Sequence, residues 1–254
     1  MNATFDRRLH QLGTLVATMA SGGDERRHFL AVELRSVAAI GDELTSRSMG
    51  PFEDAAWTER WVLALVDLYL DSLERWSVEG SAPGPWQVVF AAVTASPPVA
   101  PSRGLLLGTH AQLCYDGPQA LLETIDGDGF DDAATRAARR ADHEHVDRVL
   151  AVRLPEEDRL ARSADQLGDR ARPQRVLAPL TEASATRLLR DARESAWRNA
   201  RALSAARRAG PAACKARLDE LGARSAERVA DLLRTGPLQG RRARSGTGVL
   251  LEGA

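Results

Sequence analysis

Apolar side chains recur every three to four residues along most of this chain, and segments that alternate apolar with polar residues are few. A period near 3.6 lines one face of a helix, whereas a period of two would line one face of a strand. Alanine, leucine, arginine and glutamate dominate, all strong helix formers, and aromatic residues are only 5%. The sequence predicts an all-α protein, a single-domain bundle of about eight helices.

The breaks mark the elements. A first helix is expected near residues 7–19, closed by Ser21-Gly22-Gly23, with Asp24 able to cap a second helix that runs to about Ser46. In that second helix Phe29, Val32, Val37, Ile40 and Leu44 form the inner face, and Arg26, Arg27, Glu33, Arg35 and Glu43 are assigned mainly to the outer one. Asp54 is placed to cap a broad apolar helix over 55–78, and Trp86 to Ala95 reads as a short buried one. A leucine-rich segment begins near Ser102, a candidate cap, and Gly117-Pro118 should kink or split it. A helix from about Asp131 to Val152 follows, Pro155 is read as opening another, and residues 168–173 as an exposed connection. Thr181 begins a long helix stopped by Gly210-Pro211, and one or two more reach Arg234. Residues 1–23 thus read as a helix and linker, 24–235 as the helical domain and 236–254 as a disordered tail.

Charge narrows the partners. Thirty-four basic and 35 acidic residues leave a net charge of −1, so no global field favours nucleic acid or an anionic membrane. No apolar run approaches the ~20 residues that span a bilayer, and Arg7, Arg8 and His10 interrupt the N-terminal segment. A cytoplasmic location is expected. Lys215 is the one lysine among the basic residues, as in GC-rich, actinobacterial-type genomes. Cys114 and Cys214 read as free thiols. The arginine groups 136/139/140, 207/208 and 241/242/244 lack interleaved aromatic residues and read as solvated faces.

Familiar catalytic signatures are missing: there is no GxSxG, Walker loop, GxGxxG or CxxC pair. The loop 126–131 resembles a calcium loop but has Phe130 and Ala137 where oxygen ligands belong, so a helix cap by Asp131 or Asp132 explains it better. The segment Asp142-His143-Glu144-His145-Val146-Asp147 is not HExxH; His143 and Asp147 share a helical face, and His145 points about 160° from His143. Gln112 and Asp116 form a second same-face pair behind a leucine run, with His110 turned from them. Polar groups on buried segments need partners or a ligand.

Several stretches together resemble an uncharacterised helical family common in actinobacteria, domain of unknown function 5995. They are Phe52-Glu53-Asp54-Ala55-Ala56-Trp57, Tyr69-Leu70-Asp71, Pro85-Trp86-Gln87-Val88-Val89-Phe90, Ala111 with Asp116, Asp142 with Val146, and Arg193-Glu194-Ser195-Ala196-Trp197. The likeness spans about residues 29 to 203. It implies a helical domain in which Asp116, Asp142 and Arg193 meet near Trp86 and Trp197, with no established reaction. This chain has His110-Ala111-Gln112 where the family typically has Asn-Ala-His, and Asp147 where the family has asparagine.

These observations lead to an expected cofactor-independent cyclase, lyase or hydratase for a small apolar metabolite, of the kind found in polyketide-type biosynthesis. Asp116, Asp142, Asp147, His110 and His143 are the candidate acids and bases, and no metal site is assigned. Trp57, Trp61, Trp86, Gln112, Tyr115, Arg193 and Trp197 are the candidate walls of a dry pocket. The competing expectations are a non-catalytic helical module binding a ligand or partner, with a homodimer as one form, and a metal-dependent hydrolase.

Overall fold

A computed structural model describes residues 3–125, 127, 129–167 and 181–235. The expectations for residues 168–173, for the tail from 236 and its arginines 241, 242 and 244, and for Asp126 and Asp128 lie outside the described residues. Among those described, nine α-helices and one π turn occur and no strand. They are α1 (Ala3–Ser21), α2 (Arg27–Ser46), α3 (Ala55–Glu79), α4 (Pro85–Val93), α5 (Pro101–Ala111), the π turn (Gln112–Asp116), α6 (Gly117–Thr124), α7 (Ala133–Leu167), α8 (Glu182–Ala209) and α9 (Pro211–Thr235). No helix among them is long and apolar enough to cross a membrane.

Several boundaries follow from capping chemistry. Asp54 Oδ1 accepts from the Trp57 backbone N–H at 2.9 Å and starts α3, and Thr181 and Ser184 form a reciprocal capping box at the start of α8. Asp132 Oδ2 accepts from the Thr135 N–H at 2.6 Å before α7. Two expected caps are absent. Asp24 turns to the Arg26 N–H and side chain instead of to α2, and Ser102 lies inside α5, where its N–H donates to Asp165 at 3.1 Å.

Two prolines stand within the helical run. Gly117-Pro118 marks the division of the leucine segment: α5 widens into the π turn, α6 starts at Gly117, and Pro118 falls in its first turn, where its missing N–H costs little. Pro155 does not open a new helix, because α7 runs through it. A proline inside a helix costs about 3 kcal/mol; packing of Leu154 and Ala161 and the bidentate Arg35–Glu157 pair hold the helix on both sides.

From α1, Phe5 and Leu12 are fully buried in the main core. That core is richest where α2, α3 and α4 meet. Phe29 stands edge-on to Tyr69 at 5.2 Å and to Trp86 at 5.4 Å, and Phe90 stacks on Trp86 at 5.3 Å. α9 closes against the start of α4 so tightly that a Cβ on Gly84 would stand 3.1 Å from the Tyr115 ring and 3.3 Å from the Gly222 backbone. Arg103 on α5 donates to the Leu232 and Leu233 carbonyls and satisfies the C-terminal end of α9.

Candidate functional site

Between α2, α3, the π turn, α7 and α8 lies a narrow cavity of about 90 Å³, mostly apolar. Phe29, Val37, Ile40, Val62, Val146 and Leu150 supply much of its wall. Its polar groups come from five different elements: Glu33 and Ser36 on α2, Thr109 on α5, Gln112 on the π turn, His143 and Asp147 on α7, and Arg193 on α8.

His143 is fixed from two sides. The Trp197 indole N–H donates to its Nδ1 at 3.2 Å, and the Trp61 ring lies 4.3 Å from it. Nδ1 is thereby an acceptor, so a neutral ring carries its proton on Nε2. Burial, reinforced by Arg193 and Arg140, pushes the imidazole down to about 3. One turn along, Asp147 Oδ2 accepts from Arg193 Nη1 at 2.6 Å, and its Oδ1 is 3.9 Å from His143 Nε2, beyond hydrogen-bond reach. Burial raises the Asp147 carboxyl to about 7 against the pull of the guanidinium.

Glu33 was assigned to the outer face of its helix, and so was Glu43; both are buried. Glu33 stands four residues after Phe29 and four before Val37, on the very stripe that faces the core. Burial raises its carboxyl to about 7, with Gln112 hydrogen-bonded to it and pulling the other way. Glu43 instead meets His145 Nε2 at 3.1 Å on the opposite side of α7. The two histidines do diverge as their spacing requires.

Other expected site residues sit elsewhere. Asp142 does not face the cavity; its carboxylate accepts from the Glu53 and Asp54 N–H groups at 2.6 and 2.9 Å, tying α7 to the entry of α3. Asp116 is buried behind the cavity, accepting from Trp86 Nε1 at 2.8 Å, and burial holds its carboxyl well above the usual range. The expected meeting of Asp116, Asp142 and Arg193 therefore does not occur: they serve three separate places. Trp57 is buried flat against Trp61 at 5.6 Å, with Arg139 over its face, and is not part of this cavity's wall. Tyr115 packs under α9. His110 faces a different groove with Cys114. Arg139 and Arg140 are not merely solvated, for they pair with Asp54 and Glu194. The set that does converge is Trp61, Gln112, His143, Asp147 and Arg193, with Glu33 added and Trp197 supporting it. Among the described residues no group of three or more His, Cys, Asp or Glu side chains is placed to hold a metal ion.

Residues 6–235 match the model of a family of unknown function, DUF5995. The chain belongs to that family. No curated protein and no solved structure matches it. Whatever chemistry this DUF5995 member performs must be read from its own cavity, because fold alone does not fix function.

Proposed function

We propose that this DUF5995 protein is a cofactor-independent acid–base enzyme that acts on a small apolar metabolite in the cavity beside His143. One observation carries the reading: two carboxyl groups, Glu33 and Asp147, line the same apolar cavity, and burial raises both to about 7. Placing carboxyl groups in an apolar hollow opposes stability, and pairs of titratable groups tuned toward neutrality are what proton transfer requires. Glu33, whose partner is the neutral Gln112 side chain rather than a guanidinium, favours its protonated form and is the acid. Asp147, held by Arg193, is the more readily ionised and is the base.

Elimination of water illustrates the balance. Asp147 takes a proton from carbon, the electron pair forms the new double bond, and the departing hydroxyl takes the Glu33 proton and leaves as water. Ring closure and hydration use the same two transfers. A cavity of about 90 Å³ suits a small, flat or chain-like molecule. A biosynthetic setting of polyketide type, in the cytoplasm, fits chemistry of this kind. Incubation with a panel of small β-hydroxy ketones, followed by absorbance of the conjugated enone, tests it. Glu33→Gln and Asp147→Asn should each slow turnover by about a hundredfold or more. Equal turnover in both would exclude these groups from the chemistry.

A second reading, a binding module without catalysis, is favoured by one feature: both carboxyls already have partners inside the protein, Gln112 and Arg193. It expects the same ketones to bind without conversion.

A further inference from the structure

The wall formed by Thr109, Leu113 and Ala192 separates the cavity from a second, larger space, a groove of about 570 Å³ between α5, α8 and α9. Three arginines line that groove, Arg198, Arg224 and Arg228, against a single acid, Asp191. Arg224 is engaged by Glu220 on its own helix. The guanidinium groups of Arg198 and Arg228 have no hydrogen bond or ion pair among the described residues. The floor between them is apolar, from Leu106, Leu188 and Leu221. Guanidinium groups without an acid, set beside an apolar floor, offer a planar fork for an oxyanion and a dry surface for the body attached to it.

We infer that this groove binds a small organic anion, with its phosphate or carboxylate gripped by Arg198 and Arg228 and its apolar body lying over Leu106, Leu188 and Leu221. The site is independent of the acid–base reading, since neither Glu33 nor Asp147 reaches it. His110, on the groove wall, reports on it. Its neighbours there are the Cys114 thiol, whose Sγ is 3.6 Å from His110 Nε2 and which burial keeps neutral, Asp191 and Arg198 from α8, and Arg224 and Arg228 from α9. Burial and the Arg228 charge push the His110 imidazole down to about 4. An anion beside Arg228 cancels that repulsion and should raise it.

Calorimetry on the full chain with octyl phosphate, octanoate, 1-octanol and inorganic phosphate, together with NMR titration of His110, tests the assignment. Octyl phosphate and octanoate should bind, while 1-octanol and inorganic phosphate bind about tenfold more weakly or worse. The double variant Arg198→Ala/Arg228→Ala should lose about tenfold in affinity, Glu33→Gln and the exposed control Arg7→Ala should lose nothing, and the His110 titration should move upward on binding. Equal binding of 1-octanol, or an equal loss in Arg7→Ala, would overturn the site. So would capture on phosphatidic acid vesicles without binding of soluble octyl phosphate, which would indicate a membrane surface instead.

Discussion

The indole N–H of Trp197 donates to Nδ1 of His143 at 3.2 Å, deep in the bundle between α7 and α8. That bond fixes the tautomer of a neutral imidazole and aims its remaining N–H along the helix face that carries Asp147. Trp197→Phe removes the donor and part of the packing. It should cost about 2 kcal/mol by urea denaturation. In 15N NMR the His143 ring should shift from a single Nε2–H form to a mixture of tautomers.

Glu33 links stability to pH. Its carboxyl is raised in the folded protein from 4.5 to about 7, so between those values the folded state binds the extra proton and stability falls as pH rises. Glu33→Gln removes this dependence. The difference in unfolding free energy between variant and wild type should grow in the variant's favour by about 3 kcal/mol from pH 4.5 to pH 8.

His143 works from the other side. Its folded value of about 3 lies below the usual 6.5, so the unfolded chain binds the proton first and stability is lost as pH falls below about 6.5. In His143→Gln the acid limb of the stability curve should flatten between pH 6.5 and pH 4, as followed by thermal melts.

Asp142 is structural. Its carboxylate ties down two backbone N–H groups at the entry to α3, and Asp142→Ala should destabilise the fold by about 2 kcal/mol while leaving turnover per folded molecule unchanged. A fall in turnover with unaltered stability would contradict this placement.

Gly108 leaves room for Phe29, since a Cβ there would stand 2.5 Å from the Phe29 ring. Phe29 borders the cavity and anchors the aromatic cluster with Tyr69 and Trp86. Gly108→Ala should therefore lower stability by about 1–3 kcal/mol and change ligand affinity together with it, measurable by calorimetric melting with and without ligand.

Much of the helical order was legible because caps and breakers act locally: Asp54, the Thr181 box and the Gly210-Pro211 stop all behave as the sequence predicts. The opposed directions of His143 and His145 were also legible from spacing alone. Glu33 was not, since residue type outweighed position: its spacing from Phe29 and Val37 placed it on the inner face, but a carboxylate reads as solvated. Asp116 does lie against Trp86, as the resemblance implies, but its meeting with Asp142 fails for a different reason. That Asp142 binds the α3 entry depends on contacts 89 residues away, which no local pattern carries. Pro155 likewise lies within α7 because tertiary packing outweighs local propensity.

The account turns on buried carboxyls that keep their protons near neutrality. Titration of Glu33 by 13C NMR of the side-chain carboxyl, assigned by comparison with Glu33→Gln, tests this directly. A midpoint near pH 7 is the predicted result; a midpoint near 4.5, that of an ordinary solvated glutamate, would contradict it.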